Sequence, residues 1–470
     1  MNWMFQKPTY HFVPLPHFPD GTHFQDVMPF YARGVYHSFY QCRSVYGTDL
    51  RSTNCLATSR DLVHWVDQGI VLSPDPEGPD SNGCWTGCVV ENAGTFYFFY
   101  TGVAGPKYIN TQCLATSRDL LHWDKFPQNP IIGIPPEGVG LSSFRDPCVW
   151  KENDEWCMAV GASLREVGCV LLYRSRDLIR WEYCHVLWTG TPEKPGAMCE
   201  CPDLFPLEDR YVLLTLGVTF KRTWYMTGWY RRQRYEQDIW GCADYGDFFA
   251  AKTLVDDKGR RICWGWIPET YGTSYMGFET TGVQSLPRLL SLRTDGSLGM
   301  EPVSEVQALR DRVFSVKPLR IPEKGCLSVP EIQGDCLEIE AEIAAGDAEE
   351  CGLLIRCTPD YVEQTRIVYN RKKKSLGLDR SRSSLDPLAR CDLLEGKLSL
   401  EEGENLKLRI FMDRSVVEIF ANGRACITGR IYPSRQDSQG LGLFAESGGA
   451  AVTLLRAWLL KTPESCVTRF

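Results

Sequence analysis

Through residue 302, apolar positions come in short runs that are separated by turn residues. Residues 35–40 and 156–160 are examples, and each run follows a polar turn. Runs this short, rich in aromatic and β-branched residues, are typical of strands joined in hairpins. Beyond residue 302 the pattern changes, because segments such as 336–343 and 406–412 alternate apolar and polar residues. That alternation is typical of half-buried strands in a sandwich. The sequence therefore predicts an all-β protein with two parts.

A repeated segment predicts the architecture of the first part. Residues 57–65, 115–123 and 173–181 are almost identical, and their serines, Ser59, Ser117 and Ser175, are 58 positions apart both times. Self-similarity at a fixed period indicates a repeat fold, and a unit of this size with several short strands is typical of a propeller blade. A fourth unit begins near Cys199, and a fifth covers residues 247–266. We therefore predict a five-bladed β-propeller at residues 1–305, a linker at 306–320 and a C-terminal β-sandwich at 321–470.

Composition narrows the class of function. The 470 residues carry a formal net charge of −8, which argues against nucleic-acid binding because such proteins need a basic surface. The N-terminus lacks the pattern of a signal peptide, and no run approaches the roughly 20 apolar residues of a membrane span. The 20 cysteines are scattered, so reduced thiols and a cytoplasmic location are expected. No metal site is expected, since Cys199 and Cys201 have no second ligand cluster at a suitable spacing.

Three acidic residues stand at the starts of the strands that would be innermost in their blades. Asp26, Thr86 and Asp146 are 60 positions apart, and Glu200 lies one place before the corresponding position of the fourth unit. The innermost strands of a propeller line its channel, so these acids are expected to meet. An Asp before a turn is often only a cap, but three acids in register favour catalysis. Glycoside hydrolysis needs two carboxylates, one for the anomeric carbon and one to protonate the leaving oxygen.

Short motifs in a fixed order carry a specific resemblance. Residues 144–147 read Phe-Arg-Asp-Pro, and residues 200–205 read Glu-Cys-Pro-Asp-Leu-Phe. With residues 408–424, these segments resemble the motifs and the sandwich signature of glycoside hydrolase family 32, the invertases, inulinases and levanases. Smaller matches extend the resemblance over nearly the whole chain, at residues 36–41, 59–65, 244–250, 264–266 and 286–288.

The resemblance implies a division of labour among the acids. Asp26 would be the nucleophile, Glu200 would protonate the leaving oxygen and later deprotonate water, and Asp146 would hold sugar hydroxyls. Direct attack also implies that the carboxyl groups of Asp26 and Glu200 lie about 5 to 5.5 Å apart. No cofactor is implied. The expected substrate-binding residues are Gln25, Gln41, Trp85, Thr86, Arg145, Asp203 and Trp266.

The first motif departs from the family's pattern. Where the family has Trp-Met-Asn-Asp-Pro-Asn-Gly, this chain has His-Phe-Gln-Asp-Val-Met-Pro at residues 23–29. Likewise, Thr-Asn-Cys-Leu at residues 53–56 replaces the usual Trp-Gly-His. Both changes lie in the first blade, so they bear on substrate specificity more than on the class of reaction.

The sequence predicts a retaining glycoside hydrolase that cleaves terminal β-fructofuranosyl bonds of a small saccharide. The expected substrates are sucrose, a phosphorylated disaccharide or a short fructo-oligosaccharide. Fructosyl transfer, including formation of a difructose anhydride, uses the same covalent intermediate and stays open. A sugar-binding protein without catalysis would suit the altered first motif, although the retained acids oppose it. A related five-bladed family acting on arabinosides is disfavoured by the motif at residues 200–203. No membrane partner is expected, and the oligomeric state is left open.

Overall fold

The structure, a computed structural model, describes residues 7–19, 21–44, 51–272, 280–323 and 325–463. Within these ranges the chain forms 35 strands and one 3-10 helix, Ser304–Leu309. The predicted all-β class is confirmed. None of the helical structure in this part of the chain is long and apolar enough to cross a bilayer. The same residues contain no group of three or more His, Cys, Asp or Glu side chains that could hold a metal ion.

Five sheets of mainly antiparallel strands follow one another along the chain up to residue 302. The first contains β1 (Thr22–Ala32), β2 (Val35–Ser44), β3 (Thr53–Ser59) and β4 (Trp65–Leu72). The second contains β5 (Gly83–Asn92), β6 (Thr95–Ala104), β7 (Ile109–Ser117) and β8 (Asp124–Lys125). The third contains β9 (Val139–Glu152), β10 (Glu155–Leu164), β11 (Val167–Ser175) and β12 (Glu182–Thr189). The fourth contains β13 (Cys199–Leu207), β14 (Arg210–Gly217), β15 (Arg222–Arg231) and β16 (Arg234–Cys242).

The fifth sheet completes this part of the molecule. Its strands are β17 (Phe249–Val255), β18 (Arg261–Ile267), β20 (Val283–Gln284), β21 (Arg288–Leu292) and β22 (Leu298–Pro302), while β19 (Thr280–Thr281) lies parallel to β1 in the first sheet. The first strands of the five sheets, β1, β5, β9, β13 and β17, contact one another in a closed ring. Residues at the start of each of these strands are therefore brought to one central region.

The repeated segment of the sequence forms the same turn in each of the first three sheets, between the third and fourth strands. In the first sheet, Ser59 Oγ accepts hydrogen bonds from the N–H groups of Asp61 (3.2 Å) and Leu62 (2.9 Å). Ser117 and Ser175 accept the equivalent pairs of bonds. Serine and aspartate side chains commonly cap turns in this way, so the repeat reflects one turn used three times.

Two further sheets pack face to face after residue 310. One contains β23 (Arg310–Val316), β24 (Leu319–Ile321), β26 (Cys336–Ala344), β31 (Leu406–Asp413), β32 (Val416–Ala421), β33 (Ala425–Arg430) and β35 (Ala450–Leu460). The other contains β25 (Cys326–Gln333), β27 (Glu350–Cys357), β28 (Thr365–Asn370), β29 (Ser375–Asp379), β30 (Leu393–Lys397) and β34 (Gly440–Glu446). Their inward side chains form one apolar core that includes Ile339, Leu353 and Ile410. In the predicted linker, β23 and β24 pair with β35.

A buried group of charged side chains, here called the interface network, joins the two parts. It consists of His11, Asp244, Arg288, Asp413 and Glu418. Arg288, on β21, reaches Asp244 Oδ2 at 2.9 Å and Glu418 Oε2 at 2.6 Å. The two ring nitrogens of His11 lie 2.9 Å from Asp413 Oδ2 and from Glu418 Oε1. Two of the smaller motifs, at residues 244–250 and 286–288, therefore meet the sandwich signature here, and together they hold the second part against the fifth sheet.

The cysteines depart from the expectation that all thiols are reduced. Cys42 on β2 and Cys55 on β3 form a disulfide, while the other 17 cysteines in the described ranges are free. The two strands are antiparallel neighbours in which Cys42 lies opposite Thr53 and Cys55 lies opposite Tyr40. Strand pairing brings the two sulfurs together, which spacing along the chain does not reveal.

Candidate active site

The first strand of every one of the five sheets has a β-bulge near its start. The bulged residues are Asp26, Trp85-Thr86, Asp146-Pro147, Cys201-Pro202 and Ala250-Ala251. A bulge adds an unpaired residue, bends the strand and turns a side chain in a new direction. The backbone has positive φ at Asp146 (65°), Cys201 (48°) and Ala250 (51°). The same bulge therefore recurs at equivalent positions of the five first strands, and it redirects one or two side chains from each sheet.

Strand register defines which residues are equivalent. Asp26 and Asp146 each occupy the first bulge position, whereas Glu200 immediately precedes the bulge of its strand. The register therefore places Glu200 one position before the equivalent of Asp146, as the spacing predicted. In the second sheet the first bulge position belongs to Trp85, and Thr86 is the second. The 60-residue spacing that aligned Thr86 with the two aspartates is thus off by one residue.

The thiol of Cys201 lies between two of the three acids. Its Sγ is 3.7 Å from Asp26 Oδ2 and 3.5 Å from Asp146 Oδ2, and its backbone N–H donates to the same Asp146 oxygen at 2.9 Å. Burial is the main cause that raises the pKa of both aspartates, and the negative charge of Glu200 adds to this rise. Carboxyl groups from three different sheets therefore share one electrostatic environment.

A chain of hydrogen bonds holds Asp26. Gln41 Nε2 donates to Thr86 Oγ1 at 2.8 Å, and Thr86 Oγ1 donates to Asp26 Oδ2 at 2.5 Å. Gln41 and Thr86 are buried, while Asp26 is partly exposed. Burial raises the pKa of the Asp26 carboxyl, and the hydrogen bond from Thr86 opposes this rise. Thr86 thereby favours the ionised form that a nucleophile requires.

Arg145 holds Glu200. Its Nε donates to Glu200 Oε1 at 3.0 Å, and its Nη2 donates to the same oxygen. Arg145 is itself fixed by the carbonyl of Ser142 (2.8 Å from Nη1) and the side chain of Asn110 (3.4 Å from Nη1). Its guanidinium carbon lies 5.7 Å from the ring centre of Trp85. The predicted residues Arg145, Glu200 and Trp85 are therefore brought together.

Asp146 is the most deeply buried of the three acids. Its backbone N–H donates to Thr101 Oγ1 at 2.8 Å, and the side chain is almost inaccessible to solvent. Burial raises the pKa of Asp146 well above its usual range; the charge of Arg145 opposes this, and the charges of Glu200 and Asp26 add to it. A buried carboxyl with such neighbours is suited to hydrogen-bonding sugar hydroxyls.

Two further predicted residues lie at the level of the acids. Gln25 pairs with Gln41 immediately before the bulge of β1. Trp266 pairs with Phe249 at the corresponding level of the fifth sheet and packs edge-on against Phe249 and His23. Both are therefore placed beside the acids by strand register.

Asp203 is not among the residues brought together with the three acids. It lies beyond the bulge of β13 and accepts hydrogen bonds from the backbone N–H (2.7 Å) and hydroxyl (2.8 Å) of Thr253 and from Cys148 Sγ (3.4 Å). Asp203 instead lines a separate cavity of about 320 Å³. Lys252 and other residues from the first strands of all five sheets form most of the rest of its lining.

Three residues of the site were not predicted from the sequence. Cys201 carried a signal, because it lies within the motif at residues 200–203. Thr101 follows an apolar run on β6, Asn110 lies among polar residues at the start of β7, and no motif marks either residue. Their contacts with Asp146 and Arg145 depend on how the second sheet packs against the third.

Comparison with known proteins shows that two family models and several enzymes match most of this chain. The model described as "Glycosyl hydrolases family 32 N-terminal domain" matches residues 26–302, and "Glycosyl hydrolases family 32 C terminal" matches residues 305–459. A sucrose-6-phosphate hydrolase of Escherichia coli is 32% identical over 86% of this chain and 85% of its own. An acid beta-fructofuranosidase of Vicia faba is 30% identical over 93% of this chain and 77% of its own.

A solved structure is also similar over its whole length. Fructan 1-exohydrolase IIa of Cichorium intybus superimposes with a TM-score of 0.87 and 26% identity, covering 97% of this chain and 98% of the chicory chain. A variant of the chicory protein has been solved in complex with 1-kestose and superimposes equally well.

Proposed function

The chain belongs to glycosyl hydrolase family 32, and from this premise we propose that Asp26, Asp146 and Glu200 cleave terminal β-fructofuranosyl bonds with retention of configuration. The observation that carries the proposal is the meeting of carboxyl groups from three sheets: the thiol of Cys201 contacts Asp26 and Asp146, and the charge of Glu200 acts on both aspartates. The relatives of the chain include a β-fructofuranosidase, a sucrose-6-phosphate hydrolase and a fructan exohydrolase. The proposed substrate is accordingly a small saccharide that ends in a fructosyl group.

The fold fits this proposal. The closed ring of β1, β5, β9, β13 and β17 supports a five-bladed β-propeller, in which each of the five sheets is one blade and the acids lie at one end of the channel. The two packed sheets after residue 310 support a second, β-sandwich domain. The boundary would then fall between residues 302 and 310, at the 3-10 helix.

In the first step, Asp26 attacks the anomeric carbon and Glu200 protonates the oxygen that leaves. The hydrogen bond from Thr86 lowers the pKa of Asp26 and so favours its ionised form. Both donors of Arg145 go to Oε1 of Glu200, so Oε2 is the oxygen that carries the proton to the leaving group. The bond between fructose and the leaving sugar breaks as the bond to Asp26 forms.

In the second step, Glu200 takes a proton from water and the water oxygen displaces Asp26 from the anomeric carbon. Each step passes through a state with positive charge on the sugar ring, which nearby carboxylates stabilise. Asp146 holds ring hydroxyls in both steps, and Trp85 and Trp266 offer apolar surface to the sugar. Two inversions at one carbon give net retention.

We also propose a cytoplasmic location. Of the cysteines in the described ranges, 17 are free and two are paired. A protein with so many free thiols suits a compartment that keeps thiols reduced.

Isosteric variants test the roles of the acids. Asp26→Asn removes the nucleophile and is expected to abolish the release of fructose from every substrate. Glu200→Gln is expected to lower kcat by about 10² to 10⁴ for sucrose. It should act much less on a fructoside whose leaving group needs no proton. Asp154→Asn, an exposed carboxylate in the turn between β9 and β10, is the matched control and should leave kcat unchanged.

The stereochemical outcome provides an independent test. Proton NMR of the first product formed should detect the β-anomer of fructofuranose before it equilibrates. Full activity in Asp26→Asn, or initial release of the α-anomer, would overturn the proposed mechanism.

A further inference from the structure

A groove lined by three tryptophans lies on the outer strands of the third and fourth sheets. Trp188 on β12, Trp224 on β15 and Trp240 on β16 line a cavity of about 410 Å³. Polar side chains share the lining: Thr189, Thr191, Glu193, Lys194 and Gln237. We call it the tryptophan groove. None of the three acids, nor any of the residues that hold them, takes part in it.

The aromatic rings of the tryptophan groove are fixed by their neighbours. Trp188 Nε1 donates to Gln237 Oε1 at 2.8 Å, a bond that crosses from the third sheet to the fourth. The ring centres of Trp224 and Trp240 are 5.5 Å apart, and the ammonium of Lys194 lies 3.8 Å from the ring centre of Trp240. Since the rings are already held, a ligand would lose little free energy in ordering them.

Exposed apolar side chains occur in the groove and in the hairpin beside it. Trp240 is 41% exposed, and Val218 (39%) and Phe220 (47%) are exposed in the hairpin between β14 and β15. Grouped exposed apolar side chains mark ligand-binding surfaces. Aromatic rings beside amide, hydroxyl and carboxylate groups match the chemistry of a sugar, whose C–H face packs on a ring while its hydroxyls form hydrogen bonds.

Strand register places Trp188, at one side of the groove, at the level of the acids. In the third sheet, Arg145 lies opposite Gly161, Gly161 opposite Val170, and Val170 opposite Trp188. Trp188 is therefore level with Arg145 but three strands further out, a distance of about 14 Å at the usual strand spacing. The segment 190–198 connects the groove directly to β13, where Glu200 lies.

We infer that the tryptophan groove binds sugar units of an oligosaccharide whose terminal fructosyl group occupies the site of the three acids. This inference rests on the proposed function for the identity of that terminal group. A disaccharide bound at the acids is too short to reach the groove, whereas a chain of several sugar units can extend along the edge of the fourth sheet. The groove therefore favours fructan chains over sucrose.

The matched pair Trp240→Ala and Trp229→Ala tests the inference. Trp229 is also on the fourth sheet, is similarly exposed (37%) and also has a cation, that of Arg210, over its ring. It differs in position, because it lies near the end of β15 that is farther from Trp224 and the groove. We expect Trp240→Ala to raise KM for long-chain inulin about 3- to 10-fold more than KM for sucrose, as the loss of one aromatic contact predicts. Trp229→Ala should leave both KM values unchanged.

Binding without turnover separates this inference from the proposed function. Calorimetric titration of inulin into Asp26→Asn and into Asp26→Asn with Trp240→Ala should give a dissociation constant about 3- to 10-fold weaker for the double variant. If the wild-type protein released no fructose, the proposed function would fail, but the same titration in wild-type and Trp240→Ala protein would still test the groove. Equal changes in KM for sucrose and inulin, or equal inulin binding with and without Trp240, would overturn the inference.

Discussion

The substitution Glu418→Gln should destabilise the protein strongly although the two side chains have nearly the same size and shape. Glu418 accepts three hydrogen bonds inside the interface network: from Leu286 N (2.7 Å), from Arg288 Nη2 (2.6 Å) and from His11 Nε2 (2.9 Å). The side chains of Glu418, Arg288 and His11 are fully buried. The network joins the fifth sheet to the second part of the chain, so its loss should weaken the whole molecule.

The magnitude follows from the donors that Glu418 serves. A glutamine has one acceptor oxygen, so its amide N–H₂ must face at least one of the three donors and leave it unsatisfied, at a cost of about 1–3 kcal/mol. The change also removes a negative charge that lies between two buried cations. Breaking a buried ion pair by removing one partner costs about 3–5 kcal/mol. We therefore expect the free energy of unfolding to fall by about 3–5 kcal/mol, a large part of the total of a typical domain.

The assay is guanidinium unfolding at pH 7, followed by both circular dichroism and tryptophan fluorescence, because a chain with two parts need not unfold in one step. Glu342→Gln is the control: Glu342 lies on the surface of the second part, 3.9 Å from Lys407 Nζ. It should lose less than about 0.5 kcal/mol. A loss below about 1 kcal/mol in Glu418→Gln, or equal losses in the two variants, would show that the charge of Glu418 does not stabilise the interface network.

Three other predictions concern pH and the site. Burial lowers the pKa of His11, but hydrogen bonds to its two carboxylate partners outweigh this and raise it to about 9. The protonated His11 therefore adds on the order of 3 kcal/mol to the free energy of unfolding below pH 6.5, and this contribution is lost as the pH rises to about 9. Guanidinium titrations at several pH values measure the loss, which His11→Gln should abolish. An identical pH profile in the two proteins would contradict this prediction. Thr86→Val removes a hydrogen bond that lowers the pKa of Asp26. The acidic limb of the kcat/KM profile should therefore move to higher pH, and the maximal rate should fall about 10-fold. Thr86→Ser keeps the hydroxyl and should retain the wild-type profile. Arg145→Met removes both donors to Glu200 and should lower kcat about 100-fold; wild-type kcat in steady-state assays would exclude a positioning role for Arg145.

Much of the fold and the three acids could be predicted from the sequence because both depend on local patterns. The turn at Ser59 repeats at Ser117 and Ser175 because each copy satisfies the same backbone N–H groups with the same side chains. Equivalent turns place equivalent strands, and equivalent strands bring their first residues to one region. Asp146 and Glu200 could therefore be identified as neighbours although they are 54 positions apart.

The features that the sequence did not predict depend on register and on packing between sheets. Counting residues aligned Thr86 with Asp146, but a bulge of two residues gives that place to Trp85. Motif position likewise grouped Asp203 with Glu200, yet the bulge between them turns Asp203 toward Thr253. Such shifts of a single residue are invisible in a pattern of apolar and polar positions, and each one turns a side chain to a different surface.

The altered first motif has a structural explanation that bears on function. Val27 and Met28, which stand where the family's pattern has Pro and Asn, are buried in the apolar cores on either side of β1. Met28 Sδ also accepts a hydrogen bond from the backbone N–H of Gly87 at 3.0 Å, and a side chain at Gly87 would overlap the carbonyl of Phe99. Val27 and Met28 therefore pack into these cores while Asp26 keeps its place in the bulge, in contact with Thr86. A protein that had lost catalysis would not need to hold the proposed nucleophile in this way, so the changed motif favours altered substrate specificity over a pure sugar-binding role.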